Sequence, residues 1–381
     1  MNRRLNMSIE RILLIGHNGT RTGAPAVLLN LAKWLARSHP EISIDILLMT
    51  GGPLADEYRK YGDVHAMYDA GEGIGAKIKR RLTSSLPHFK RRYDIVLGNT
   101  IVTLALLDRF KERGFTTAAW LHELDSIIRS CCAPEEFKRL IERQDAVIVP
   151  SAVFSDMFRR FDIDVEPAIA HDFIVNDGAP DTVPFTHTEL GVPEGSFIAA
   201  AAGTVEWRKG TDLFLQIAKI VLERRKDVRF IWVGADTGDE KDRERIEYDA
   251  ARMGFGDSVK FIPATPEYRR IVAAADVFTL TSREDPCPLV ALDAADLAKP
   301  VICFEGAGAA AELVADGAGT AVPYGSAERF AEAILSYRED RGKLRAAGIA
   351  AKAKVTDVFT ADASCSIIFD TISNAARGRI S

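Results

Sequence analysis

Short apolar runs alternate with longer amphipathic segments along almost the whole chain. The first run, Arg11–Gly16, is followed by Ala24–Arg37, in which apolar side chains recur at helical spacing. Alternation of strands and helices predicts an α/β protein with a parallel sheet covered on both faces. The strands predicted in the first half are Arg11–Gly16, Ser43–Leu48, Val64–Tyr68, Ile95–Gly98, Ala118–His122, Ala146–Pro150 and Glu166–Ile169.

A polar segment without periodicity, Asn176–Thr186, interrupts this pattern and is rich in glycine and proline. Such segments are typical of linkers, and we place the division between residues 1–176 and 177–360 here. The strands predicted after it are Phe197–Ala202, Arg229–Val233, Val259–Ile262, Val277–Leu280, Val301–Phe304 and Gly319–Val322. The helices predicted after it are Thr211–Arg225, Lys241–Met253, Pro266–Ala274, Leu289–Ala298, Ala309–Val314 and Ala327–Ser336.

Composition limits the classes of protein to which this chain can belong. At 381 residues it is long enough for two domains, each with its own core. No stretch approaches the roughly 20 uninterrupted apolar residues of a membrane span. The net charge of −5 does not favour nucleic acid as a partner. The five cysteines have no metal-site spacing, and their odd number argues against a disulfide framework, so we expect a cytoplasmic protein.

The most informative segment is Thr281–Asp293, an acidic turn between an apolar run and an alanine-rich helical pattern. Free N–H groups at a helix start attract phosphate, and here the expected donors include Leu289 and Val290. The carboxylates of Asp285 and Asp293 would repel phosphate, so we expect them to bind hydroxyl groups. Phosphate and hydroxyls together indicate a sugar nucleotide. The alternative is that both aspartates only cap the turn and the helix.

A second loop, Gly203–Gly210, follows one predicted strand and precedes a predicted helix. Arg208 and Lys209 therefore lie at a helix N-terminus, where an anion is already favoured. An ion pair at ~4 Å is worth about 4 kcal/mol at an effective dielectric near 20, against about 1 kcal/mol in water. We predict that these two cations bind a diphosphate in a cleft; a solvated loop with ordinary surface cations is the alternative.

Two features of the first half also lie at predicted strand ends. His122 ends the strand Ala118–His122, on the side where ligands of such sheets bind. No metal-binding cluster accompanies it, so we predict no metal. The loop Gly16–Gly23 is rich in glycine but lacks the dinucleotide-binding spacing, and no acid ends the second strand. A dehydrogenase site is therefore not predicted.

The stretch Lys77–Arg92 combines two basic clusters with interleaved apolar residues. If helical, it would rest on an anionic membrane surface or hold an anionic, lipid-linked acceptor. A solvated basic helix is the alternative. We accordingly expect the protein in the cytoplasm, with peripheral attachment to the inner face of the cell membrane as the further hypothesis.

Taken together, these motifs resemble the family-four retaining glycosyltransferases of GT-B architecture. Their order and approximate spacing match across residues 197–335, whereas the first half matches more loosely. The resembling segments are Gly203–Gly210, Val233–Gly234, Val259–Ile262, Ala275–Asp276, Ser282–Asp293, Lys299–Ile302, Ala318–Pro323, Thr22–Pro25 and His122–Glu123. The resemblance implies two Rossmann-like, doubly wound domains facing an interdomain cleft. It places the acceptor in the first domain, the donor in the second, and the last helix, 361–381, back on the first.

The resemblance also implies roles in binding the donor. Asp285 would hold hydroxyls of the donor sugar, and Asp293 would hold the ribose of the nucleotide. Lys209 resembles the lysine that binds the donor diphosphate. Ile262 and Ala264 belong to a segment that resembles the one whose backbone reads the nucleobase.

Other positions resemble the family near its reaction centre. His122 is similar to the histidine beside the donor sugar, and Gly23 to the small residue where the first domain meets donor and acceptor. The family usually has a basic residue at the position of Thr204, and Arg208 is the candidate to replace it. Members of the family need no metal to bind the donor.

We therefore predict transfer of a sugar from a nucleoside-diphosphate sugar to a hydroxyl of a saccharide or lipid-linked saccharide, with retention and without a cofactor. Such a reaction belongs to polysaccharide or glycolipid assembly. Two alternatives stay open, a nucleotide-sugar-binding protein without turnover and a sugar-nucleotide epimerase of the same fold. The non-catalytic alternative rests on Thr204 and on Asp293, an aspartate where the family has glutamate.

Overall fold

A computed structural model of the protein describes residues 9–20, 23–68, 92–175, 182–235 and 239–378. The chain divides into two compact units, Met1–Asp172 with Ala361–Ser381, and Phe173–Thr360. The division expected from sequence lies a few residues further along, at 176. All of the basic stretch Lys77–Arg92 except its last residue lies outside the described residues.

The first unit contains a seven-stranded parallel sheet of order β3-β2-β1-β4-β5-β6-β7. Its strands are β1 Arg11–Asn18, β2 Ser43–Thr50, β3 Asp63–Tyr68, β4 Ile95–Asn99, β5 Thr117–Trp120, β6 Ala146–Val149 and β7 Ala168–Ile169. All seven predicted strands form, but the one predicted at Glu166–Ile169 is only two residues long. Pro167 has no N–H group to donate, which restricts the ladder at this sheet edge to the residues after it.

Helices pack against this sheet because their apolar residues recur on one side. In α1, for example, Val27, Leu28, Leu31 and Leu35 are buried. Between the start of the chain and Asp172, the helices of this unit are α1 Gly23–Ser38, α2 Ala55–Tyr58, α3 Leu104–Glu112, α4 Asp125–Cys131, α5 Pro134–Glu142 and α6 Val153–Arg160.

The C-terminal helix Ala361–Gly378 also belongs to the first unit. The indole nitrogen of Trp34 on α1 donates to the carboxylate of Asp362 at 2.7 Å. The rings of His39 and Phe369 stack with their centroids 3.9 Å apart. The C-terminal helix therefore packs beside α1, near the start of the chain.

The second unit contains a six-stranded parallel sheet of order β10-β9-β8-β11-β12-β13. Its strands are β8 Phe197–Ala202, β9 Val228–Val233, β10 Val259–Ile262, β11 Val277–Leu280, β12 Val301–Phe304 and β13 Gly319–Val322. Its helices are α7 Thr211–Arg224, α8 Glu240–Met253, α9 Tyr268–Ala274, α10 Leu289–Asp296, α11 Ala310–Leu313, α12 Ala327–Glu339 and α13 Arg341–Asp357.

Helix α13 is the element that the sequence patterns did not predict. Its buried positions are mostly alanine and glycine, which give a weak periodic signal. Its start is marked by Asp340, whose side chain accepts a hydrogen bond from the backbone of Lys343 at 2.8 Å. Among the described helices, none is both long and apolar enough to cross a membrane.

The strand order reverses once in each sheet, between β1 and β4 and between β8 and β11. In open parallel sheets the loops at the carboxyl ends of the strands flanking such a reversal form the ligand site. In the first unit, Asn99 ends β4 and Gly23 begins α1 directly after the loop that follows β1. In the second unit, the loops contain Gly203–Gly210 and Thr281–Asp285. Both folds thus bring predicted site residues to the expected edge of a sheet.

Candidate functional site

The second unit brings a cation and a carboxylate together at the reversal of its sheet. Lys209, in the loop after β8, donates from Nζ to Oδ2 of Asp285, in the loop after β11, at 2.6 Å. The hydroxyl of Ser282 donates to the same oxygen at 3.0 Å. Because the Asp285 side chain is only 8% exposed, its charge depends on these partners. Two positions predicted separately from sequence therefore form one site.

Arg208 ties the same two loops together. Its Nη1 donates to the backbone carbonyl of Glu284 at 2.9 Å, and its Nη2 bonds the carboxylate of Glu206 at 2.7 Å. Nη1 also lies 3.8 Å from Oδ1 of Asp285. The backbone carbonyl of Arg208 accepts from the N–H of Arg283 at 2.7 Å. This guanidinium thus has a structural role in the loop, and its contact with a diphosphate stays a prediction.

A bidentate ion pair that the sequence analysis missed fixes the acidic loop to helix α7, which follows the loop Gly203–Gly210. Both terminal nitrogens of Arg283 bond the two carboxylate oxygens of Asp212, in the first turn of α7, at 2.8 and 2.7 Å. Partial burial opposes ionisation of Asp212, but the bonds from Arg283 outweigh it, and the pKa of Asp212 is lowered. The guanidinium also lies over the ring of Trp207, 5.0 Å from its centre.

A third loop, after β12, closes on the acidic turn. The N–H of Asp285 donates to the carbonyl of Ala307 at 2.7 Å. At Gly308, where φ is 152°, a side-chain Cβ would collide with the carbonyl of Asp285. Gly210, with φ of 68°, stands in the same relation to the carbonyl of Thr281. Glycine is therefore needed at the points where the backbones meet. The pair Gly306 and Gly308, directly after a predicted strand, was a sequence signal from which this close approach could have been predicted.

Helix α10 presents its first turn beside this loop. The N–H groups of Leu289 and Val290 are bonded to no backbone carbonyl in the described part of the chain, whereas that of Ala291 donates to Pro288 at 2.9 Å. The first turn of a helix leaves such donors for an anionic ligand. The geometry is compatible with the predicted phosphate contacts.

Asp293 lies in the second turn of α10. Its two oxygens accept from the hydroxyl of Tyr268 and from Arg269, which also bonds Asp296 at 2.6 Å. Burial and the carboxylate of Asp296 raise the pKa of Asp293 to about 7. A ribose would have to share this carboxylate with Tyr268 and Arg269, neither of which was predicted.

The predicted base-reading segment begins at the end of β10. The carbonyl of Ile262 accepts from the N–H groups of Gly234 and Ala235 at 2.9 and 3.1 Å, which uses both of its lone pairs. Ala264, two residues on, is exposed. Thr204 follows β8 and is half-buried. The carbonyl of Ile262 therefore has no lone pair left for a ligand, and the predicted contact with a base would require backbone atoms of the residues after it.

In the first unit, His122 follows β5 by two residues and is held on both sides. Its Nε2 lies 2.7 Å from Oδ1 of Asn99, and its Nδ1 lies 3.3 Å from Oδ2 of Asp172. Asn99 ends β4 and carried the same strand-end signal as the histidine, whereas Asp172 carried none. Gly23 is the first residue of α1, and a Cβ there would meet nothing within 4 Å.

No group of three or more histidine, cysteine, aspartate or glutamate side chains in the described ranges is placed to hold a metal ion. The predicted site residues are divided between the units. His122 and Gly23 belong to the first unit, and the other predicted residues belong to the second.

Comparison with known proteins places this geometry in context. Residues 183–354 match the family described as Glycosyl transferases group 1. Among the relatives, a D-inositol 3-phosphate glycosyltransferase of Segniliparus rotundus is 28% identical over 46% of this chain and 40% of its own length. The lipopolysaccharide core biosynthesis mannosyltransferase LpsB of Rhizobium meliloti is 28% identical over 58% of this chain and 63% of its own. The chain therefore spans well under two thirds of the length of the former.

The fold is shared with solved structures along nearly the whole chain. HepE of Anabaena, crystallised with UDP-glucose, superposes with a TM-score of 0.76 at 20% identity, covering 96% of this chain and 99% of that one. The chain contains two successive Rossmann-like units, each with a parallel sheet, which is the GT-B fold. The prediction of this fold from the sequence is confirmed.

Replacing Gly308 by alanine tests whether the three loops must meet in this way. The added Cβ would push the loop after β12 away from Asp285, and overpacking of this kind costs about 1–3 kcal/mol. The matched control is Gly306→Ala, which also has a positive φ but has nothing within 4 Å. Chemical denaturation should show the larger loss of stability for Gly308→Ala; equal losses would contradict the close approach.

Proposed function

We propose that this protein transfers a sugar from a nucleoside-diphosphate sugar to an acceptor hydroxyl, because residues 183–354 match the family described as Glycosyl transferases group 1. The observation that carries the proposal is the pairing of Lys209 with Asp285 at the reversal of the second sheet. There, a cation, a carboxylate and the first turn of α10 lie within one group of loops. Those are the groups that a sugar diphosphate requires.

The chemistry of the step follows from the charge that develops. As the glycosidic bond breaks, the leaving diphosphate gains negative charge. Lys209 and the N–H groups of Leu289 and Val290 would stabilise that charge, and fixed donors of this kind are the largest electrostatic contribution to rate in many enzymes. Asp285 would hold the hydroxyls of the sugar while Lys209 holds the phosphate.

We further propose that the anomeric configuration is retained. In this mechanism the acceptor oxygen attacks from the face that the diphosphate leaves, and a phosphate oxygen takes the proton of the acceptor. The bond from the anomeric carbon to the phosphate oxygen breaks, and the bond to the acceptor oxygen forms. No side-chain nucleophile, metal or cofactor takes part in this scheme.

The names of the relatives guide the choice of acceptor. One is named for an inositol phosphate and another for lipopolysaccharide core synthesis. We propose a saccharide or lipid-linked saccharide as acceptor for this chain, in polysaccharide or glycolipid assembly. Both relatives are named as transferases, which supports transfer over nucleotide-sugar binding without turnover and over epimerisation.

The substitution Lys209→Ala should lower kcat/KM for sugar transfer by at least about tenfold, because the charge opposite the leaving group is lost. The matched control is Lys219→Ala, which removes an exposed cation from α7 in the same unit. Thermal unfolding of both variants separates a kinetic effect from loss of structure. An unchanged kcat/KM in folded Lys209→Ala would remove the charge-stabilisation argument.

Ligand screening tests the donor class directly. A nucleoside diphosphate that binds only the folded state stabilises it and so raises the unfolding temperature. The stabilisation is about 2.7 kcal/mol when the ligand concentration is 100 times Kd. We expect one of UDP, GDP or ADP, and its sugars, to stabilise the protein, and Asp285→Asn to weaken the response to the sugar more than that to the nucleotide alone. Absence of stabilisation by all three would contradict a nucleotide-sugar site.

We also propose peripheral attachment to the inner face of the cell membrane, on the sequence pattern of Lys77–Arg92 alone. Apolar residues between basic clusters favour an anionic surface. Co-sedimentation with liposomes should increase with the fraction of anionic lipid. Binding that is the same for neutral and anionic liposomes, or absent from both, would contradict attachment.

A further inference from the structure

His122 is enclosed by acceptor atoms at the end of β5. Its side chain is 8% exposed, and its two ring nitrogens face an amide oxygen of Asn99 and a carboxylate oxygen of Asp172. The fully buried ring of Trp120 lies beside the imidazole, with centroids 4.7 Å apart. A histidine in such surroundings has its protonation decided by what each nitrogen touches.

The amide of Asn99 has one orientation that satisfies its neighbours. Its Nδ2 lies 2.9 Å from the carbonyl of Ala24, an atom that can only accept. The nitrogen of the amide must therefore face Ala24, which leaves Oδ1 facing His122. Because Oδ1 also only accepts, the Nε2 atom of His122 must carry a proton.

The second ring nitrogen faces a charged acceptor. Oδ2 of Asp172 lies 3.3 Å from Nδ1 of His122. An ionised carboxylate can only accept, so beside an ionised Asp172 this nitrogen also carries a proton. Burial acts to lower the pKa of His122, but the charges of Asp172 and Glu123 outweigh it, and the net shift is upward.

The other groups around the ring are compatible with a cation. One oxygen of Glu123 accepts from the backbone N–H groups of Ile101 and His122 itself, which holds its carboxylate beside the ring. Burial raises the pKa of Glu123, and the charge on His122 opposes this. The Nδ1 atom of His17 lies 3.5 Å from the hydroxyl of Thr100, the residue that follows Asn99.

The backbone is strained at the residue directly after Asn99. Thr100, the next residue, has φ of 85°, a conformation that a β-branched residue rarely adopts. Its N–H donates to the carbonyl of Trp120 at 2.8 Å, which fastens the end of β4 to the end of β5. The strain is therefore compensated by the bonds that set Asn99 against the histidine.

We propose that Asn99 and Asp172 are positioning residues that hold His122 as an imidazolium cation. This inference rests on the proposed transferase function for its consequence. A ring with both nitrogens protonated cannot take a proton from the acceptor hydroxyl, so His122 acts through its position and positive charge and not as a general base. This agrees with a mechanism in which the leaving phosphate takes that proton.

The test is nitrogen NMR of protein labelled at histidine, with the His122 signals identified by their absence in His122→Gln. Near neutral pH we expect both ring nitrogens of His122 to be protonated. In Asp172→Asn, which keeps the shape and an acceptor oxygen, its pKa should fall by about one unit or more. Glu123→Gln, which keeps the two backbone bonds, should give a smaller fall in the same direction.

The matched control is Asp162→Asn, which removes a surface carboxylate paired with Lys138 in the same unit and should leave the His122 signals unchanged. A neutral His122 ring near neutral pH in the wild type, or an unshifted pKa in folded Asp172→Asn and Glu123→Gln, would overturn the proposal. If Asp172→Asn fails to fold, Glu123→Gln decides the question.

A kinetic arm separates this inference from the proposed function. In an active enzyme, the alkaline decline of kcat should move to lower pH in Asp172→Asn, with KM for the donor little changed. A protonated ring in a protein that transfers no sugar would leave the positioning of His122 intact and refute the function. Transfer activity in a protein whose His122 ring is neutral would support the function and refute the positioning of His122 as a cation.

Discussion

The arrangement of the second unit depends on one buried carboxylate. An ionised aspartate that is mostly removed from water is unfavourable unless a cation and hydrogen-bond donors face it. Asp285 meets that condition through Lys209 and Ser282, which come from two different loops. Because its partners must reach it, the loops after β8 and β11 have little freedom to separate. The loop after β12 completes the arrangement through glycine at position 308.

This constraint shapes the site before any ligand arrives. The cation proposed to bind a diphosphate already has a carboxylate partner, so an incoming phosphate would share Lys209 with Asp285. The same contact keeps the lysine from extending into solvent, which reduces the entropy lost on binding. In the proposed mechanism, this contact would moderate the attraction of Lys209 for phosphate and would set the position of the cation in advance, an arrangement that favours stabilisation of a leaving group.

The first unit applies the same physical rule with a different residue. His122 is also a buried group whose charge is decided by its neighbours, and its partners also come from separate strand ends. In both units the backbone adopts unusual conformations where these partners meet, at Thr100 in one and at Gly210 and Gly308 in the other. In the second sheet, the charged pair follows the two strands at which the order changes, β8 and β11. In the first unit, only Asn99 ends such a strand, β4, while His122 and Asp172 follow β5 and β7.

The sequence alone determined most of the elements and the fold class, and it named the candidate residues of the donor site. Apolar patterning reports which side chains must leave water, so it located the thirteen strands of the described residues, whereas it missed α13, where the buried positions are small. Loops that follow strands identified Lys209, Asp285 and His122, since the carboxyl ends of parallel strands lie on one edge. Only the tertiary structure decided the partners of these groups. Arg269 at Asp293 and Asp172 at His122 are separated from them by 24 and 50 residues, and contacts between side chains so far apart leave no periodic trace in a sequence.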